Sequence, residues 1–168
     1  NSASNTFTTN WTATITFNAN GGTGTAPVAM TQSSSTASVA LPSGSTLTKT
    51  GYRLNGWATT TTGTAVSSPY TPTANITLYA VWTAATYTIT YNGNGSDSGT
   101  VTSAGTFTFG NSYSIAGKGT MAKTGYDFAG WTTAANGSGT LYANGSDSIA
   151  SSTATYSAAA NLSLYAKW

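Results

Sequence analysis

The chain has 168 residues, of which 5 % are charged, with five Lys or Arg against three Asp and a net charge of +2. This excludes the basic stripe that nucleic-acid binding needs, while 39 % hydrophobic and 12 % aromatic content excludes wholesale disorder. Cys and His are absent, which removes disulfides, thiolate metal sites and His-based catalysis, and no apolar run approaches the roughly 20 residues of a membrane-spanning helix.

Residues 1–10, NSASNTFTTN, read as an extended segment with Phe7 as its one large apolar side chain. From Trp11 the odd positions Trp11, Ala13, Ile15 and Phe17 are apolar and the even positions Thr12, Thr14 and Thr16 are hydroxylated, the period of a half-buried strand. NANGG at Asn18 to Gly22 supplies Asn and Gly, which tolerate positive φ, for a tight turn. Pro27 to Leu47 predicts a strand pair in preference to a helix over Met30 to Ala40, since Ser and Thr are weak helix formers. GYRLNGW follows at Gly51 to Trp57, and ITLYAVW at Ile76 to Trp82 predicts a further strand with both faces partly apolar.

The same phrases then return. Tyr87, Ile89 and Tyr91 alternate with Thr88 and Thr90, NGNGS follows, and GYDFAGW and LSLYAKW end at Trp131 and Trp168. The offset is 74 from Ile15 to Ile89 and from Trp57 to Trp131, but 86 from Ile76 to Leu162, so the second copy carries 12 more residues. Between Val101 and Met121, Phe107, Phe109, Tyr113 and Ile115 alternate with small polar residues and again predict a strand pair. Self-similarity at a fixed spacing marks a duplicated folding unit. The expected organisation is an extended segment at 1–10, module 1 at 11–83, and module 2 at 84–168 with an extra loop near 140–160. A linker of Thr83 to Ala85 predicts modules held as a short rod.

The pattern TITFNANGG, then KTGY followed by GW, then LYA and W resembles the Listeria/Bacteroides repeat, the family that includes the internalin B-repeat, over nearly the whole chain. The resemblance implies two tandem β-grasp-like modules, mainly β and at most a small α+β fold. It also implies an extracellular or cell-surface setting, in stalks, adhesion or interaction modules, and it implies no catalytic residue. A start without Met and a surface rich in Ser, Thr, Asn and Gly agree with secretion.

Chemistry is scarce. Glu is absent and the first copy, through Trp82, has no Asp, so general acid and base groups are missing there, and the chain is read as a non-enzyme without cofactor or metal. The NGSDS words at Asn94 to Ser98 and Asn144 to Ser148 bring one carboxylate each, which suits turns better than a Ca²⁺ site of six to eight oxygens. Trp57, Trp82, Trp131 and Trp168, fixed in the repeated words, read as core. Trp11, Tyr70, Tyr142 and Tyr156 lie outside those words, and Tyr70, Tyr142 and Tyr156 are candidates for ligand or partner contact. Phe7 and Trp11 are the candidates for self-association. The expected role is a structural subunit of a surface fibre, appendage or stalk whose partners are further copies of itself, or other surface proteins, joined by strand addition. The alternative is an adhesin or glycan-binding module using exposed aromatics.

Overall fold

A computed structural model describes residues 11–142 and 155–168. Two compact units, Asn1–Thr83 and Ala84–Trp168, make up the chain. Every regular element among the described residues is a strand, so the fold is mainly β, as the alternating patterns predict.

In unit 1, β1 (Ala13–Asn18), β2 (Met30–Gln32), β3 (Tyr52–Ala58) and β4 (Ile76–Ala84) form one sheet in the order β2-β1-β4-β3. β1 runs antiparallel to β2, with Ile15 opposite Met30, and parallel to β4, with Ile15 opposite Ile76. A parallel pair needs a long crossover, and the chain from β2 through β3 supplies it without a helix. The alternation in β1 falls as expected: Ala13 and Ile15 are buried and Thr16 is exposed. Ile15, Leu47, Trp57, Leu78 and Ala80 form the core, with the Phe17 ring against Trp57 at 4.7 Å, edge to face.

The strand pair expected over Pro27 to Leu47 shrinks to β2 and a single bridge between Val39 and Tyr70. The reason is local: Gln32 Oε1 accepts from Ser33 N, and Ser34 Oγ from Thr36 N, so side chains satisfy the backbone in place of a strand partner. The linker shrinks as well. β4 runs through Ala84, leaving Ala85 alone before the next strand.

Unit 2 repeats the plan with β5 (Thr86–Asn92), β6 (Gly105–Thr108), β7 (Tyr113–Ser114), β8 (Gly130–Thr132), β9 (Leu141–Tyr142), β10 (Thr155–Tyr156) and β11 (Leu162–Lys167). Its main sheet is ordered β6-β5-β11-β8-β9, and β7 pairs separately with β10. The parallel register is kept: Ile89 lies opposite Leu162 in β5 and β11, as Ile15 lies opposite Ile76. Its core is larger, because Phe107 and Phe128 join Ile89, Ile115, Met121, Trp131 and Leu164.

Candidate functional site

Each unit carries the same cleft, built by three of the repeated phrases. The first is the Asn-Gly turn after β1 or β5. Asn20 and Gly21 have φ of 47° and 80°, and Asn94 and Gly95 have 46° and 84°, the left-handed pair that a type I′ turn requires. The Asn side chain then fastens the turn to two other parts of its unit. Asn20 Nδ2 donates to Thr61 O at 2.8 Å and Ala80 O at 2.9 Å, and Asn94 Nδ2 donates to Ala135 O and Ala166 O, both at 2.8 Å.

The second phrase is the Lys-Thr-Gly-Tyr turn. Tyr52 N donates to Lys49 O at 2.9 Å and Tyr126 N to Lys123 O at 3.0 Å, with Gly51 and Gly125 at positive φ in the third position, as in a type II turn. This folds each lysine back over its own tyrosine: Lys49 Nζ is 5.0 Å from the Tyr52 ring centre and Lys123 Nζ 4.8 Å from that of Tyr126. Such placement is attractive because the ring face is negative.

The third phrase brings the terminal tryptophan. Trp82 Nε1 donates to Ala19 O and Trp168 Nε1 to Gly93 O, each at 2.9 Å, so the indole nitrogens are committed and the rings present carbon to the cleft. The resulting concavities measure about 220 Å³ in unit 1, with Lys49, Tyr52, Gly63 and Trp82 in the wall, and about 290 Å³ in unit 2, with Lys123, Tyr126, Gly137, Lys167 and Trp168. Three of the five cations of the chain line these two clefts.

The tryptophans therefore divide. Trp57 and Trp131 are core, 2 % and 0 % exposed, and their Nε1 atoms donate to Pro42 O and Ala116 O. Trp82 and Trp168 are half-buried: each packs against the core of its unit, and its outer surface faces the cleft.

Of the candidate contact residues, Tyr142 and Tyr156 are brought together, ring centres 6.4 Å apart, and Phe107 packs on Tyr156 at 5.7 Å. Tyr70 is in the other unit, half-buried against its core. Tyr70 and Tyr156 turn out to occupy equivalent places. Tyr70 bridges Val39, Tyr156 pairs with Tyr113, and both differ by the offsets of the repeat. They belong to a longer shared phrase, Tyr70 to Trp82 and Tyr156 to Trp168, whose Asn75 and Asn161 accept from Thr14 N and Thr88 N at 2.8 Å. Trp11 is half-buried just ahead of β1, while Phe7 and most of the extra loop fall outside the described residues.

The one carboxylate of the first NGSDS word works as a turn holder. Asp97 Oδ2 accepts from Thr124 N at 2.8 Å, and the hydrogen bonds to Thr124 hold the Asp97 carboxyl below its ordinary range. Asn144 to Ser148 lies outside the described residues, and no group of three or more His, Cys, Asp or Glu gathers among the described ones. The lysine clefts are the feature that reading motifs for catalysis and metals misses. The signal was present in the Lys-Thr-Gly-Tyr phrase, which carries a cation in both copies of a chain almost free of charge.

A sheet edge is the other exposed feature. β8 is flanked by β9, with Trp131 opposite Tyr142, whereas its counterpart β3, seven residues long, borders the unit 1 sheet. Beyond a bond from Val66 N to Trp57 O, no strand flanks β3 among the described residues.

Two tandem, mainly β units with the same register and the same cleft define a repeat-module protein. The Listeria-Bacteroides repeat domain model matches residues 14–81 and 87–167, and the chain belongs to that family. Two relatives come from Evansella cellulosilytica. One, provisionally named a Gly-rich membrane protein, is 33 % identical over 101 residues, 55 % of this chain and 12 % of that protein. The other, provisionally named a membrane protein, is 39 % identical over 64 residues, 38 % of this chain and 10 % of that protein. The matches thus span about a tenth of the relatives' length. No solved structure matches the chain.

Proposed function

We propose that the chain is a non-enzymatic structural module of a bacterial surface protein, which associates with further copies of itself by strand addition into a fibre, appendage or stalk. The observation that carries this reading is the place of β3, a seven-residue strand that ends the sheet order of unit 1 with no further strand beside it among the described residues. Strand addition uses such an edge, main-chain hydrogen bonds giving affinity and alternate side chains giving register. The donor we assign, from its sequence pattern, is the segment 1–10 with Phe7, continued by Trp11. A charged content of 5 % leaves little repulsion between like chains. The provisional membrane-protein names of the two relatives and the resemblance to surface modules support the setting.

The test is the size and appearance of the full chain and of a variant lacking residues 1–10, by light scattering and negative-stain imaging across a range of concentrations. The full chain should give oligomers or filaments that the shortened chain does not. A full chain that stays monomeric throughout, or filaments unchanged by the deletion, overturns the reading.

A further inference from the structure

We propose that the clefts of the two units are equivalent binding sites for a carboxylate-bearing sugar residue of an anionic polysaccharide. The placement of charge is the first argument. Unit 1 contains no Asp or Glu, so no acidic side chain of its own unit neutralises the Lys49 ammonium. Its Nζ instead rests 5.0 Å from the Tyr52 ring centre and 6.0 Å from that of Trp82. In unit 2 the Asp97 carboxylate offsets part of the Lys123 charge from outside the cleft wall, while Lys167 adds a second cation to the wall itself. Among charged residues the unit 1 cleft is lined by Lys49 and the unit 2 cleft by Lys123 and Lys167, with no carboxylate in either wall, although unit 2 as a whole balances three Lys with three Asp.

The lining decides what kind of anion fits. Asn20 Nδ2 and Trp82 Nε1 donate within the unit, as do Asn94 Nδ2 and Trp168 Nε1 in the other, so these four side chains do not offer their N–H groups to a phosphate. Each cleft sets one or two ammonium groups beside aromatic faces, Tyr126 being 60 % exposed. The C–H edges of a pyranose carry partial positive charge and suit the negative face of a tyrosine or tryptophan ring, while a carboxylate on the same sugar reaches the ammonium. Volumes of about 220 and 290 Å³ fall at or below the lower end of small-molecule sites, the scale of one sugar residue rather than a long oligomer. Two such clefts on one chain give a long polysaccharide two points of attachment, and avidity that neither has alone where its length lets it reach both.

The experiment titrates the isotope-labelled full chain with an oligogalacturonate, with a neutral oligogalactose of equal length, and with a glutamate-rich peptide, following amide and indole resonances. The oligogalacturonate should shift Gly63 and the Trp82 indole in unit 1, and Gly137 and the Trp168 indole in unit 2, with binding that weakens as salt rises. Lys49→Gln should weaken the unit 1 site roughly tenfold to a hundredfold, the loss expected for a charge-assisted hydrogen bond, and leave the unit 2 shifts in place. Lys49→Arg, which keeps the charge, should retain binding, and unshifted core resonances in both variants show that the fold is kept. Equal binding of the neutral sugar, equal binding of the peptide, shifts that map away from the clefts, or no effect of Lys49→Gln each overturns the assignment.

Discussion

Asn20 and Asn94 show how much one side chain does in a module this small. Each combines a left-handed backbone with two bonds from Nδ2 to carbonyls on separate elements. Asn94→Ala should lower stability by about 1–3 kcal/mol, from two carbonyls losing their donor and from a positive φ that alanine tolerates poorly. Asn94→Gly should recover only the backbone part. Thermal unfolding of the two variants separates the contributions. Asp97 is the residue whose effect depends on pH. Its folded pKa is held below the ordinary carboxylate value, first by the bond from Thr124 N. A group of this sign adds stability that is fully present above the ordinary carboxylate value and is lost as the pH falls from there through the lowered folded value. Unit 2 should therefore soften on acidification while Asp97→Asn removes that dependence, and unit 1, with Thr23 at the corresponding place, should not respond. Melting curves at neutral and acidic pH check this. The sequence made both turns legible through their Asn, Gly and Asp content, but not the long-range bonds, which join residues 41 and 60 positions apart in unit 1.

At the level of the element, the alternation of apolar and hydroxylated residues was enough to place β1, β4, β5 and β11, since a strand with one face on a core has period two. It could not say that β1 and β4 run parallel, because pairing direction depends on where the chain returns. The shared start of the last phrase at Tyr70 and Tyr156 was also present in the letters, yet its purpose shows only in space, where Asn75 and Asn161 hold the first strand of each unit. Close approach is the other hidden constraint. A Cβ on Gly22 would lie 2.3 Å from Trp82 Cζ2, with Ala19 O and Thr48 O at 3.1 Å, so Gly22→Ala must displace the indole from its place beside the cleft. The expected cost is about 1–3 kcal/mol, as for other overpacked sites, read by denaturant unfolding, with a change in Trp82 emission. Ser96 stands at this place in unit 2, opposite Gly93 where unit 1 has Ala19, so the two copies exchange which residue gives way.

On the scale of the whole molecule, the chain holds two separate cores, one centred on Trp57 and one on Trp131. A unit of this size has little stability in reserve. Trp57→Ala and Trp131→Ala should each cost about 3–5 kcal/mol and loosen the unit that carries the change. Amide spectra of each variant should show the resonances of that unit collapsing while those of the other persist. Unit 2 should tolerate its loss better, since its core cluster is larger and the Tyr91 and Phe128 rings lie 4.8 and 5.3 Å from Trp131.

By itself the sequence determined the duplication, the mainly β character and the poverty of titratable chemistry, because each of these is a property of composition or of spacing along one strand. Only the tertiary structure decided that Trp57 and Trp131 are core while Trp82 and Trp168 line a cleft. All four close similar short words, but burial depends on what the other elements bring alongside. The same holds for the lysines. Lys49 and Trp82 are 33 residues apart in the chain, and they meet because the parallel pairing of β1 with β4 returns the last phrase to the turn that follows the first.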